Sequence, residues 1–274
     1  MLVILSGCSG VGKNTIISEM LKHGDKYELL PTYTTRGMRE NEKQGEPYYF
    51  IDEKEFENKL QNGELYEHEL VHGHYYGTSR KLLNEKKRLN KILLKDIDVK
   101  GTQNLIAIAK KDIDILSIFL YVKTKEELVR RLIGRGEQNI DLRLSRYDME
   151  MQYASQYSYI IDNENMENTM EVIESLIEFE RNKEFLLPTK GIRDIDMDIV
   201  DKYAKSFASR EKPELMPIHI SKRNNKWYII DGHHRYLASI KSGFHIPKEV
   251  TEAEFIDETE HYSWEVLIRG LIKQ

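Results

Sequence analysis

The sequence contains a single cysteine, no long apolar run and no excess of positive charge. Because Cys8 is its one thiol, the chain cannot form an internal disulfide, which favours a reducing compartment. No stretch approaches the ~18 apolar residues of a membrane-spanning helix. The apolar run at the N-terminus is short and no basic segment precedes it, so we expect no signal peptide. We therefore expect a cytoplasmic protein without a membrane partner.

The charge balance narrows the choice of partners. The 274 residues include 41 Lys and Arg against 46 Asp and Glu, a formal net charge of −5. A general nucleic-acid-binding surface needs excess positive charge to neutralise phosphates. We therefore expect small-molecule partners for the chain as a whole, and nucleic acid stays open only for its C-terminal part. The length suggests about two domains.

What the sequence does contain is a glycine-rich loop at residues 7–13, Gly-Cys-Ser-Gly-Val-Gly-Lys, between an apolar run and a helix-like stretch. Glycines let the backbone turn its N–H groups toward an anion, the helix adds its positive end, and the lysine reaches the outer phosphates. We predict a nucleoside-triphosphate site formed by Gly7, Ser9, Gly10, Val11, Gly12, Lys13, Asn14 and Thr15.

Position 14 departs from the usual loop, in which Ser or Thr follows the lysine and binds Mg²⁺. Here Asn14 follows, and its side-chain carbonyl is also a hard oxygen ligand. Asp96 ends a buried-strand pattern, at the carboxyl end where ligands of open α/β sheets bind. We predict that Asn14 and Asp96 hold Mg²⁺ or a metal-bound water.

Short apolar runs alternate with helical patterns through residue 180, which is typical of a parallel sheet with crossover helices. The pattern changes at about 33–80, where tyrosines, glycines and charges suggest an inserted substrate-binding lobe. Near Pro188 the core pattern stops. We predict an α/β fold with a first domain at residues 1–182, a linker at 183–190 and a second domain at 191–274. The expected strands include 2–6, 92–96, 116–122 and 159–162, and the expected helices include 141–156 and 166–185.

Five ordered motifs in the first 180 residues resemble guanylate kinase. They are 34–39 with Glu42, Gly45 and 48–51; 63–67; 71–78; 94–101; and 130–136 with Arg143. The resemblance implies a P-loop kinase fold with an inserted monophosphate-binding lobe at about 33–80 and an arginine lid at about 134–143. It also implies transfer of a phosphoryl group from ATP, with Mg²⁺, to GMP or dGMP.

The chemistry of such a kinase agrees with the residue types. Two polyanions must be held end to end and shielded from water. Arg36 and Arg39 are spaced to fork onto one acceptor phosphate, and Tyr48 and Tyr76 add hydroxyl donors. By resemblance, Glu67 and Asp98 accept hydrogen bonds from guanine, helped by the hydroxyls of Thr32 and Thr78. The expected catalytic residues are Lys13, Arg36, Arg131, Arg135 and Arg143.

Several positions depart from the family pattern. His68 stands where an aromatic residue is common, Thr32 and Thr78 stand where serine is common, and Asn14 follows the loop lysine. Two alternatives stay open for this reason. The chain could phosphorylate another acceptor, such as a modified nucleotide or a sugar phosphate, or it could be a catalytically weak nucleotide-binding regulatory module.

The last ~85 residues resemble a ParB/sulfiredoxin-like domain. The resemblance is carried by the strand 226–230, the Asp-Gly-His-His-Arg motif at 231–235 and the helix that follows. A glycine turn before a helix, with two imidazoles and a guanidinium, suits a phosphate. We predict a phosphate site at Gly232, His233, His234 and Arg235, with Asp231 capping the helix. A metal site and a structural role remain alternatives, and the motif lacks the cysteine that the reductases need.

Overall fold

The computed structural model describes residues 1–39, 42–71, 73–134, 136–137, 139–209, 216–255 and 261–272, apart from the side chains at 142, 261 and 262. The chain forms two compact units. One contains Met1–Leu120 and Thr124–Glu150, and the other contains Tyr121–Lys123 and Met151–Gln274. Within the described ranges, no helix is both long enough and apolar enough to cross a bilayer.

In chain order, the strands and helices are β1 (Leu2–Gly7), α1 (Lys13–Lys22), β2 (Tyr27–Leu29), β3 (Thr32–Thr34), β4 (Lys43–Gln44), β5 (Pro47–Phe50), α2 (Glu53–Gln61), β6 (Leu65–Val71), β7 (His74–Ser79), α3 (Arg80–Lys87), β8 (Ile92–Asp96), α4 (Val99–Ala109), β9 (Ile115–Tyr121), α5 (Lys125–Gly134), α6 (Ile140–Met151), β10 (Tyr159–Asp162), α7 (Met166–Asn182), β11 (Leu187–Pro188), α8 (Met197–Ala208), β12 (Ile218–Arg223), β13 (Lys226–Asp231), α9 (His233–Ser242), β14 (Lys248–Val250) and α10 (His261–Ile272).

The first unit is built on parallel strands in the order β9-β1-β8-β2. All six residues of β1 are buried, as in a strand whose sheet is covered on both faces. Leu2 and Ile4 of β1 pack with Leu93 of β8 and Leu105 of α4 in a buried cluster. The predicted parallel α/β sheet is confirmed. Because β1 and β8 run in the same direction, the loop after β1 and the residues after β8 emerge at the same edge of the sheet.

The strands β3 to β7, in the region at about 33–80 where we predicted an inserted lobe, form a separate five-stranded sheet. Its strand order is β4-β5-β3-β7-β6, with antiparallel pairing of β3 to β7 and of β6 to β7. The register pairs Glu67 directly with Thr78, so that these two side chains lie side by side. This sheet presents Thr32, Tyr48 and Glu67 to a cavity that also reaches the end of β8.

The second unit has the strand order β11-β13-β12-β14-β10. A hairpin connects β12 and β13, and Asn224 and Asn225 in its turn take positive φ values of 50° and 59°. Such values are typical of the tight turns that connect two antiparallel strands. Residues 183–190, which we expected to be a linker, include β11, and β11 pairs in parallel with β13.

The strand β10 and the helix α7 belong to the second unit, together with the C-terminal residues. β10 pairs in parallel with β14, with Tyr159 opposite Lys248. The buried Tyr159 hydroxyl donates to Oε1 of Glu180 at 2.6 Å, and the Lys248 ammonium lies 5.0 Å from the Tyr159 ring centroid. The division into domains at 183–190 stays a prediction. The helices α6 and α7 are each shorter than expected, because α6 ends at Met151 and α7 ends at Asn182, where Lys183 takes a left-handed conformation.

Candidate functional site

The loop at residues 7–13 wraps tightly because three of its glycines take backbone angles that other residues rarely adopt. Gly7, Gly10 and Gly12 have φ values of 125°, 91° and 110°. A Cβ on Gly7 would come within 1.9 Å of the carbonyl oxygen of Leu120, so no side chain fits there. The Lys13 ammonium donates to the carbonyl oxygens of Gly7 at 2.9 Å and Cys8 at 3.2 Å. These bonds hold the lysine charge against the loop.

Cys8 is a buried loop residue and not a reactive thiol. Its side chain is fully buried, and burial together with the nearby Glu150 carboxylate raises the pKa of the thiol to about 12. The thiolate is therefore absent at neutral pH.

Glu150 on α6 contacts the loop and was missed by the sequence analysis. The Ser9 backbone N–H donates to Glu150 Oε2 at 3.0 Å, and Arg146 lies 3.4 Å from Oε1 of the same carboxylate. Burial raises the pKa of Glu150, against the opposing effects of the Ser9 N–H and Lys13. Arg146 and Glu150 are four residues apart, the spacing of an ordinary surface ion pair on a helix. The sequence offered no signal that this pair would reach the loop.

Two cavities meet at Lys13. The first, here called the loop cavity, has a volume of about 670 Å³ and includes Gly10, Gly12, Lys13, Asn14 and Asp96 in its lining. The second, the lobe cavity, has a volume of about 490 Å³ and includes residues of the five-stranded sheet in its lining. The residues that line both are Ser9, Lys13, Arg39, Tyr48, Asp96, Asn139 and Arg143.

Most of the predicted triphosphate and metal residues come together in these cavities. Gly7 lines the lobe cavity. Val11 is fully buried behind the loop, and Thr15 is exposed on α1 outside the lining of either cavity. Asn14 and Asp96 both line the loop cavity, and their joint role in holding a metal stays a prediction. Burial raises the pKa of Asp96, and the charges of Lys13 and Lys95 oppose this rise.

Arg36 and Arg39 both line the lobe cavity. The Arg36 guanidinium donates to Oε1 of Glu42 at 2.6 Å, while Glu42 Oε2 accepts from the Arg39 backbone N–H at 2.8 Å. The Arg36 guanidinium carbon also lies 5.4 Å from the Tyr48 ring centroid and 5.3 Å from that of Phe50. Tyr76 lines the same cavity, and its ring meets Tyr48 edge to face. The four predicted acceptor-phosphate residues therefore lie on one cavity.

Glu67 is a buried carboxylate at the wall of the lobe cavity. Thr78 donates to its Oε1 at 2.5 Å, and its Oε2 would be 3.2 Å from a Cβ on Gly101, which explains a glycine at that position. Burial raises the pKa of Glu67 to about 7, although Lys95 and Thr78 act in the opposite direction. Thr78 is behind Glu67, outside the lining of the cavity, whereas Thr32 lines it.

Asp98 lines the lobe cavity and is also the N-cap of α4. Its Oδ1 accepts from the backbone N–H groups of Lys100 at 2.8 Å and Gly101 at 3.1 Å. This cap orients the carboxylate and satisfies two of the unpaired N–H groups of the helix start. Sequence analysis identified the residue but not the cap.

The predicted lid residues are described in part. The Arg131 side chain donates from Nε to Glu127 at 2.7 Å and from Nη1 to the Val11 carbonyl oxygen at 3.3 Å, so that it touches the loop. Arg143 lines both cavities and lies 3.3 Å from Glu137. Arg135, which was predicted to be catalytic, lies outside the described residues.

In the second unit, Asp231 does not cap α9, so this expectation was wrong. Its carboxylate instead accepts from Arg235 at 2.8 Å, and the N-cap is Gly232, which has no side chain with which to cap. His233 Nε2 accepts from the Thr189 backbone N–H at 3.1 Å, and burial lowers the pKa of His233 to about 4. His234 Nε2 accepts from the Asp196 backbone N–H at 3.0 Å. Both imidazoles therefore hold neighbouring segments of the unit, and phosphate binding there stays a prediction.

Comparisons with known proteins agree on the first two thirds of the chain. The family model for guanylate kinase matches residues 1–180. The guanylate kinase of Photorhabdus laumondii is 38% identical over 185 residues, which are 66% of this chain and 88% of that protein. The guanylate kinase of Thermotoga maritima is 34% identical over 185 residues, with the same coverage of 66% and 88%. The crystal structure of guanylate kinase from Anaplasma phagocytophilum matches with a TM-score of 0.54 at 30% identity, covering 66% of this chain and 85% of that one.

The close packing at Gly7 leads to a testable prediction. We expect Gly7→Ala to reduce ATP affinity below detection and to lower the free energy of unfolding by at least about 1–2 kcal/mol, because the new Cβ would meet the Leu120 carbonyl at a positive φ. Isothermal titration calorimetry with ATP and urea unfolding measure the two effects. Gly270→Ala is the matched control, since a Cβ there meets nothing within 4 Å. Wild-type ATP affinity in Gly7→Ala would contradict this account of the loop.

Proposed function

The chain belongs to the guanylate kinase family, and we propose on this basis that it transfers the γ-phosphoryl group of ATP to GMP or dGMP, giving GDP or dGDP and ADP. The observation that carries the proposal is the meeting of two cavities at Lys13, one at the glycine-rich loop and the other at the lobe. A donor triphosphate in the first and an acceptor monophosphate in the second would face each other across the lysine.

Phosphoryl transfer depends on positioning and on stabilising charge, because the protein has little covalent chemistry to perform. The loop N–H groups and Lys13 hold the outer phosphates of ATP. Arg36, Arg39, Tyr48 and Tyr76 hold the acceptor phosphate in line with them. Arg131, Arg135 and Arg143 stabilise the charge on the migrating group.

Mg²⁺ fits the oxygen donors of the loop cavity. Asn14 contributes a side-chain carbonyl and Asp96 a carboxylate, and both line the cavity beside Lys13. Mg²⁺ is commonly bound by one or two carboxylates together with substrate phosphates and waters. When bound, the ion would neutralise negative charge on the phosphates, and the two residues would hold it directly or through a water.

Glu67 supports guanine as the acceptor base. Guanine offers hydrogens at N1 and at its exocyclic amine, and it offers an acceptor at O6. Glu67 and Asp98 present carboxylates to the lobe cavity, and Thr32 presents a hydroxyl. Thr78 supports this arrangement by fixing Glu67 and not by lining the cavity.

A coupled ADP-release assay across the common nucleoside monophosphates tests the function. We expect turnover with GMP and dGMP, and its loss in Lys13→Ala, because the phosphates then lose their contact with the ammonium. Lys22→Ala, an exposed lysine on the same helix, is the control and should keep wild-type turnover. If neither guanine nucleotide is phosphorylated by the wild-type protein, the proposal is wrong.

Base recognition is tested separately from phosphate binding. We expect Glu67→Ala to weaken GMP binding by about 1–3 kcal/mol, since it leaves donors of the base unpaired, and to leave ATP binding unchanged. Arg36→Ala should weaken every monophosphate alike, because it lines the cavity without a base-reading role. Glu69→Ala on the same strand is the matched control. Equal weakening of GMP and ATP in Glu67→Ala would assign the residue to the fold instead. Steady-state kinetics with each nucleotide varied in turn provide the measurement.

We further propose that residues 191–274 form a ParB/sulfiredoxin-like domain that binds a phosphate-bearing ligand at the start of α9. The support is local: β13 leads through Gly232 at φ 95° directly into α9, and no side chain caps this helix start. The side chains of His233, His234 and Arg235 already bond to Thr189, Asp196 and Asp231, so they would act mainly by holding the turn in place. The backbone N–H groups would then provide the contacts to the anion.

Amide chemical shifts test this second proposal in the full chain with Lys13→Ala, which weakens the first triphosphate site. We expect inorganic phosphate, ATP or CTP to shift the amides of residues 232–235 in a saturable way. The start of α7 serves as the internal control, because Asn165 already accepts from the Asn168 N–H group there. An unchanged α9 start with all three ligands would refute phosphate binding there.

A further inference from the structure

Lys95 is a fully buried lysine on β8 of the first unit. It follows Ile92, Leu93 and Leu94 on that strand. A buried ammonium is costly unless hydrogen bonds and opposite charges compensate for the lost hydration. Its Nζ donates to Thr32 Oγ1 at 2.6 Å. The cost of burial at this position suggests a functional reason for the charge.

The surroundings of Lys95 are acidic. The carboxylates that act on it electrostatically are Glu67 on β6, Asp96 at the end of β8 and Asp98 at the start of α4. Other charged or titratable groups nearby are Glu69 on β6, Lys13 beside Asp96, and His74 of β7 on the lobe cavity. Lys95 itself does not line the lobe cavity, so it must act through residues that do.

The hydrogen-bond chemistry of Lys95 determines the orientation of the Thr32 hydroxyl. An ammonium has three donors and no acceptor, so Thr32 Oγ1 can only accept in this bond. The hydroxyl hydrogen of Thr32 must then point to a different acceptor, and within the described part of the chain it has none. Since Thr32 lines the lobe cavity, this hydrogen is available to a ligand there. The Thr32 hydroxyl, which could otherwise donate or accept, can therefore only donate to a ligand in the cavity.

We propose that Lys95 is a positioning residue that makes Thr32 a hydrogen-bond donor beside the Glu67 acceptor, and thereby selects acceptor nucleotides with a 6-oxopurine base. The inference rests on the proposed function and adds a residue to it. Thr78 donates to Glu67 Oε1, and Lys95 supplies positive charge near this carboxylate. The cavity therefore presents a donor to O6 and an acceptor to N1–H and the 2-amino group. Adenine carries an amino group at position 6 and an unprotonated N1. Its amino group would face the Thr32 donor and its N1 acceptor would face the Glu67 carboxylate, so neither hydrogen bond could form.

Lys95→Met tests the proposal, because methionine has a similar volume but no charge and no donor. We expect the KM for GMP to rise about tenfold or more, while kcat and the KM for ATP change less than about threefold. IMP retains the 6-oxo group and lacks the 2-amino group, so its KM should rise by a similar factor if the Thr32 route is correct. The ratio of kcat/KM for GMP over AMP should fall about tenfold.

The double mutant with Thr32→Val identifies the route. Thr32→Val should raise the KM for GMP by itself, Thr32→Ser should not, and adding Lys95→Met to Thr32→Val should cost much less than the product of the single effects. Lys248→Met replaces a partly buried lysine of the second unit that lines neither cavity, and it should keep wild-type KM values. If Lys95→Met does not fold, the comparison of Thr32→Val with Thr32→Ser still decides whether the donor matters.

Three results would overturn the inference. They are a GMP KM within about twofold of wild type in Lys95→Met or in Thr32→Val, an equal rise of the KM values for GMP and ATP, and fully independent effects of the two substitutions. Failure of the proposed function is a different outcome, because the wild-type protein would then not phosphorylate GMP. If the wild-type protein phosphorylates GMP and the Lys95→Met variant has the same KM for GMP, only the role of Lys95 is overturned.

Discussion

The parallel pairing of β1 with β8 is the constraint on which the site depends. The register places Leu5 beside Asp96, so the two strands reach the edge of the sheet together. The loop that holds Lys13 follows one strand, and Asp96 and Asp98 follow the other. No loop contact is needed to bring these groups close, since the backbone hydrogen bonds of the sheet already do so. The five-stranded sheet adds residues such as Tyr48 and Glu67 to the cavity at this edge, where Lys13 already lies.

The cations around the site of the first unit are held either by carbonyl oxygens or by carboxylates. Lys13 is held by carbonyl oxygens of the loop, Arg36 is paired with Glu42, and Lys95 lies among carboxylates. Cations that are held in place lose little further freedom when an anionic ligand arrives. The same arrangement keeps several carboxylates near a site for polyanions, and Glu150 even accepts a hydrogen bond from the loop. The cavities therefore combine cations that are held ready for a phosphate with carboxylates that would repel it.

Local patterns predicted the parts of the fold that local sequence controls. The glycine loop and the strands β1, β8 and β10 were all visible as short motifs. The roles of Lys95 and Glu150 were not visible, because their partners Thr32 and Ser9 are far away in sequence. The role of Asp231 was not visible either, because it could cap α9 or pair with Arg235, and the sequence does not decide between them. A lysine within an apolar strand gives no indication of the hydroxyl that it will meet. The segment at 183–190 is predicted to be a linker because Pro188 interrupts the helix. The strand β11 within it gave no signal, since two residues are too few to show a pattern.

The pairing of β10 with β14 has a consequence for the order in which the protein folds. Tyr159 and Lys248 are opposite each other although 89 positions separate them (248 − 159 = 89). During synthesis, β10 leaves the ribosome long before β14 exists, so β10 stays without this neighbour until β14 has been made. Contacts between residues so distant in sequence also slow folding, because a long loop must close before they form. The first unit, which ends at Glu150, can complete its own contacts earlier. The residues that line the nucleotide cavities all lie at or before Glu150 and are thus synthesised before β14.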